Sequence, residues 1–118
     1  STRPHLDKAA YDAARLVENL PWIGELVDMM NTLGWDVYSF DHEDGIGQFE
    51  IDFKYFDALT MADNFVFFRW MANEVARRHG GFATFMPKPY GDRAGSGAHF
   101  NMSLYDLKSG ANLFASSE

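Results

Sequence analysis

Trp35-Asp36-Val37-Tyr38-Ser39-Phe40-Asp41-His42-Glu43-Asp44-Gly45-Ile46-Gly47-Gln48-Phe49-Glu50-Ile51-Asp52-Phe53-Lys54-Tyr55 carries the pattern that decides the fold. Its second half alternates without a break. Phe49, Ile51, Phe53 and Tyr55 point one way, and Gln48, Glu50, Asp52 and Lys54 point the other. A period of two marks a strand with one buried face. Trp35 to Glu43 also reads as a strand, with Val37, Ser39, Asp41 and Glu43 on one face and Tyr38, Phe40 and His42 on the other. Asp44-Gly45-Ile46-Gly47 is the expected turn between the two.

Helical patterns flank this pair. Leu6 to Leu20 mixes helix formers with scattered apolar residues, and Pro21 is expected to reset the chain and open a second helix. Ile23, Leu26, Met30 and Leu33 follow at helical spacing, and Gly34 is a natural stop. Asp57 to His79 predicts the longest helix, with Asp57 as N-cap, an apolar stripe of Met61, Phe65, Phe68, Ala72 and Val75, and Arg77, Arg78 and His79 against the negative end of the helix dipole. Phe82 to Met86 is expected as a short strand, and Pro87 to Gly97 as a loop. Ala98 to Tyr105 is expected as a third alternating strand, with Ala98, Phe100, Met102 and Leu104 opposite His99, Asn101 and Ser103. Asp106 to Gly110 reads as a turn before a short apolar tail. The order implies an α+β fold, an antiparallel sheet with helices covering one face.

The chain has 118 residues, 47% of them hydrophobic and 23% charged, which suits one folded domain and excludes a disordered or repetitive chain. Its formal net charge of -7 argues against a general grip on nucleic acid and suits a bound cation. The absence of cysteine excludes disulfides, zinc–thiolate sites and thiol nucleophiles. No apolar run is long enough to span a membrane and Ser1 to Asp7 is polar, so a cytoplasmic setting is expected. Neither Ser1 nor Ser116-Ser117-Glu118 carries a closing structural feature, which leaves open a trimmed natural protein or an excised segment of a longer enzyme.

Chemistry is expected on the sheet face that the helices leave open. Glu43, Glu50 and His99 sit on polar strand faces and, if those faces meet, offer oxygen ligands with one nitrogen, a set suited to Mg²⁺ or Mn²⁺. From pattern alone the alternative is a plain solvated face. Asp41 to Asp52 is not a calcium loop, because Ile46 stands where the turn glycine belongs. Gly91 to Gly97 lacks the lysine of a Walker loop.

Longer motifs go further. Asp41-His42-Glu43-Asp44-Gly45-Ile46-Gly47-Gln48-Phe49-Glu50 resembles the His-Glu-x-x-x-Gly-Gln-x-Glu signature of glutamine synthetases. Ala83-Thr84-Phe85-Met86-Pro87-Lys88-Pro89 resembles the nucleotide-site signature of that family, and Gly95-Ser96-Gly97-Ala98-His99 its Gly-Ser-Gly-x-His segment. Ala62-Asp63-Asn64 fits as well, and the Asp-His-Glu-Asp form resembles the branch that includes γ-glutamylmethylamide synthetases.

The resemblance implies the central part of a catalytic domain built on a curved antiparallel sheet, with 1–118 as one excised piece. It implies that Glu43, Glu50 and His99 are metal ligands, that the Gly95 backbone lies against substrate glutamate, and that Asn101 and Ser103 are on the nucleotide side. The implied reaction uses ATP to phosphorylate the glutamate side chain, and ammonia or a small amine then displaces phosphate. The implied partners are glutamate, ATP, Mg²⁺ or Mn²⁺ and the amine, in a homo-oligomeric ring. The isolated segment is expected to be inactive and to self-associate through uncovered edges. Ala94 stands where many members have a glutamate-binding asparagine, Asn101 where many have histidine, and Tyr38 where many have glutamate. The alternative reading is a catalytically inactive relative with a structural or regulatory role.

Overall fold

The computed structural model describes residues 13–45 and 47–115, with side chains inside the first helix described from Asn19 onward. Helix α1 runs Ala13–Thr32, strand β1 Val37–His42, strand β2 Phe49–Phe53 and helix α2 Ala58–Arg78. The expected helix start at Leu6 lies outside the described residues.

Pro21 does not divide α1. The helix continues through it, although proline lacks an N–H and crowds the carbonyl four residues back. Two features hold the helix on course. The Trp22 indole N–H donates to Asn19 Oδ1 at 3.0 Å, spanning the proline. Beyond it, Ile23, Leu26 and Met30 are fully buried. Leu33, expected on the same stripe, is half exposed because α1 ends before it.

β1 and β2 form a two-stranded antiparallel sheet. Phe40 opposes Ile51, Asp41 opposes Glu50 and His42 opposes Phe49. A register shift between Val37 and Ser39 corrects the expected facing of β1. Strict alternation would put Val37 with Ser39 and Asp41. The irregularity instead lets Val37 pair with Phe53 and pack on the core, while Tyr38 is exposed. β2 ends at Phe53, so Tyr55 leaves the apolar face and is exposed.

α2 begins as expected, with Asp57 Oδ1 accepting from the Thr60 N–H at 3.1 Å. Of its expected stripe, Ala72 and Val75 are buried and Phe68 packs against the core. Met71, Ala72, Val75 and Ala76 are buried, whereas Phe65 is exposed. The core joins Leu26 and Met30 of α1, Trp35, and Met71, Ala72 and Val75 of α2, with Val37, Ile51 and Phe53 packed against it from the sheet. Burial of each of the larger side chains contributes about 1.5–3 kcal/mol. Glu25 ties α1 to the end of α2, 2.9 Å from Arg78 Nη1 and 2.7 Å from His79 Nε2.

The segments expected as further strands are not strands here. Phe82–Met86 and Ala98–Tyr105 carry no ladder, and the only β-bridge outside β1 and β2 among the described residues joins Tyr105 to Asn112. A strand exists only when its N–H and C=O groups find a partner strand. Phe100, Met102 and Leu104 are exposed along with the polar residues between them. The Asp106–Gly110 turn is present, with Asp106 Oδ1 accepting from the Lys108 and Ser109 N–H groups. The radius of gyration is 17.1 Å, above the roughly 13.5 Å of a compact chain this long.

Candidate functional site

The hairpin has one face on the core and one face lined with carboxylates. Pairing Asp41 with Glu50 and Ser39 with Asp52 places these side chains on the open face. Glu43 lies just beyond β1, where its N–H donates to the Gln48 carbonyl at 2.9 Å. The ladder is thereby extended by one step and Glu43 is set diagonally to Glu50. The Gln48 N–H closes the turn on the Gly45 carbonyl at 3.0 Å.

Glu43 and Glu50 interact directly. The Glu43 carboxyl beside it raises the pKa of Glu50 from its ordinary value, and desolvation and the charges of Asp52, Glu43 and Asp41 push the same way. Two carboxyl groups this close share either a proton or a cation. The donor set, oxygen only and strongly negative, fits a hard divalent cation such as Mg²⁺ or Mn²⁺.

Gly95 is the second element of the site. A Cβ at this position would lie 2.6 Å from the Pro87 carbonyl oxygen, so only glycine allows the two backbones to approach. The Ser96 N–H donates to that same oxygen at 2.8 Å. Gln48 links this loop to the hairpin, donating from Nε2 to the Gly95 carbonyl at 3.1 Å. Gln48 lies in the sequence signature, but its period-two position marks it only as polar.

The remaining candidates stand apart from the pair. His99, Asn101 and Ser103 are exposed on the unpaired 98–105 segment. The His99 ring lies near Gly97, and among the described residues no three carboxylate or imidazole groups are placed to hold a metal ion together. Glu43, Glu50 and His99 thus form no three-group cluster among the described residues. The strand that was to carry His99 has no ladder to aim its side chain. A groove of about 570 Å³ between the helices, lined by Pro21, Glu25, Met29, Leu33, Phe67 and Met71 among others, contains none of the candidates.

His42 is buried, packed edge-on against Phe49 at 5.2 Å, with no hydrogen-bond partner for Nδ1 among the described residues. No helix in the described part is long and apolar enough to cross a membrane.

A family model described as the glutamine synthetase catalytic domain matches residues 1–118. The glutamine synthetase of Rhizobium meliloti (strain 1021) is 43% identical over 109 residues, covering 92% of this chain and 25% of that protein. The glutamate–methylamine ligase of Methyloversatilis universalis is 42% identical over 109 residues, covering 92% of this chain and 24% of that protein. Solved structures of GmaS without ligand and of a GmaS/ADP complex superpose with TM-score 0.91 and 41% identity, over 99% of this chain and 28% and 27% of theirs. The chain belongs to the glutamine synthetase catalytic-domain family. It spans about a quarter of the length of the curated relatives it matches.

Proposed function

We propose that the chain supplies part of the cation- and substrate-binding face of an ATP-dependent ligase, which joins ammonia or a small amine to the γ-carboxylate of glutamate. The neighbouring carboxyls of Glu43 and Glu50 on the open face of the hairpin carry this reading, because a divalent cation between them relieves like-charge repulsion. A bound Mg²⁺ or Mn²⁺ would supply charge neutralisation for phosphoryl transfer. Glu43 and Glu50 hold the cation, and His99 joins a ligand set completed by residues elsewhere in the protein. The Gly95 backbone lies against substrate glutamate, while Asn101 and Ser103 lie toward the nucleotide.

Chemically, the γ-carboxylate oxygen of glutamate attacks the terminal phosphorus of ATP and releases ADP. The amine nitrogen then attacks the acyl phosphate carbon, phosphate leaves, and the nitrogen loses a proton. The neighbouring Glu43 and Glu50 carboxyls keep the site strongly negative until a cation enters, so ATP phosphates bind with the metal rather than before it. The homo-oligomeric ring and the cytoplasmic setting belong to the same reading. So does the inactivity of the 118-residue segment by itself, since it holds only a few of the groups the reaction needs.

The test is phosphate release by the full-length protein supplied with ATP, Mn²⁺ or Mg²⁺ and glutamate, with ammonium, methylamine and ethanolamine in parallel. Release that depends on both glutamate and one of the amines is expected, and its loss in Glu50→Ala is expected with it. Absence of glutamate-dependent release with every amine refutes the ligase reading. Turnover by the isolated segment refutes its inactivity.

A further inference from the structure

One side chain joins the carboxylate hairpin to the glycine-rich loop. The Gln48 amide oxygen accepts from the Gly45 N–H at 2.9 Å. Its amide nitrogen donates to the Gly95 carbonyl at 3.1 Å and approaches Ser96 Oγ at 3.4 Å. The two segments are 47 residues apart in sequence. A Cβ on Gly45 would lie 2.6 Å from Gln48 Oε1, so the amide sits against bare backbone at its hairpin end. At its far end it meets a loop pinned from the other side by Pro87.

We infer that Gln48 is a positioning residue that couples cation occupancy at Glu43 and Glu50 to glutamate binding at Gly95. The inference rests on the function proposed above and deepens it. The amide group is chemically suited to the role. It is an acceptor and a donor at once, and the two functions are used on different segments. A carboxylate at position 48 keeps the acceptor for Gly45 but offers only lone pairs to the Gly95 carbonyl. A thioether of similar length loses both bonds. Ordering of the hairpin by a cation therefore orders the Gly95 loop, and glutamate on that loop reciprocally favours the cation-bound hairpin.

The test uses the full-length protein and its Gln48→Met and Gln48→Glu variants. Glutamate KM is measured at limiting and saturating Mn²⁺, together with kcat, ATP KM and backbone amide exchange at Gly45 and Ser96. Glutamate KM should rise about threefold to tenfold in both variants, the effect of one lost hydrogen bond, and should lose its dependence on Mn²⁺. ATP KM should stay within about twofold of wild type, since the bonds made by Gln48 end on the glutamate side. The Gly45 amide should exchange faster only in Gln48→Met, and the Ser96 amide faster in both. Unchanged Ser96 exchange in both variants, or a Gln48→Glu glutamate KM equal to wild type, overturns the coupling. A wild-type protein with no glutamate-dependent turnover refutes the function instead, and amide exchange then still decides whether Gln48 holds the loop.

Discussion

Gly95→Ala is the sharpest perturbation the structure offers. The added methyl carbon would stand 2.6 Å from the Pro87 carbonyl oxygen, inside the 3.0 Å that real Cβ atoms respect. The loop must retreat by about 0.4 Å merely to reach that limit, and by twice as much to reach ordinary contact. That movement stretches the Ser96–Pro87 bond from 2.8 Å and the Gln48–Gly95 bond from 3.1 Å. Losing both costs about 1–3 kcal/mol, which corresponds to roughly 5- to 150-fold in the affinity of a ligand that needs the ordered loop. Global stability should scarcely change, because Gly95 lies outside the core. Gly91→Ala and Gly97→Ala serve as controls: the first meets nothing within 4 Å and the second only His99 Nε2 at 3.8 Å. The assay is glutamate KM in the full-length protein, with Ser96 amide exchange and the thermal midpoint read alongside. If Gly95→Ala matches Gly91→Ala in both glutamate KM and Ser96 exchange, the close-approach argument is wrong.

Met71, fully buried between α1, Trp35 and the rest of α2, should lose about 2–5 kcal/mol of stability on replacement by alanine, read from denaturant unfolding. A loss below about 1 kcal/mol would mean that the helix pair packs loosely. The pKa of Glu25 is lowered, chiefly by its hydrogen bond to His79 and, against an opposing desolvation, also by its hydrogen bond to Arg78. A depressed carboxyl stabilises the fold above the ordinary glutamate range and loses that contribution as pH falls through its folded value. The unfolding midpoint of Glu25→Gln should thus fall below wild type at neutral pH and converge with it in acid. A gap that persists or widens in acid would refute the ion pair as its source. His42→Leu removes the unpaired Nδ1 while keeping an apolar body, so stability should hold or rise by about 1 kcal/mol. A drop above about 2 kcal/mol would show that the imidazole nitrogen is satisfied after all.

Local pattern carried some features of this protein fully. The Asp57 cap and the Asp106–Gly110 turn depend on neighbours in sequence and form as their residues predict, the strand expected over Gln48 to Tyr55 forms at Phe49–Phe53, and the turn expected at Asp44 to Gly47 is closed by the Gln48 N–H on the Gly45 carbonyl. The signature around Glu43 and Glu50 was equally legible, because two strands joined by a short turn place those carboxyls together whatever lies around them.

Other features needed the third dimension. α1 passes through Pro21 because the apolar residues beyond it are buried, which outweighs the missing backbone bond. Packing also set the edges of the α2 stripe, adding Met71 and Ala76 to the expected Ala72 and Val75 and leaving Phe65 out. The irregularity at Val37 reversed the facing of one residue that strict alternation assigned to the open side. The 98–105 segment has the pattern of a strand but is bridged only at its end, through Leu104 and Tyr105, because alternation describes side chains whereas a ladder requires a second backbone. Sequence alone thus determined the carboxylate pair and its hairpin. Tertiary structure alone brought Gly95 to that hairpin, since a hydrogen bond across 47 residues has no trace in local pattern.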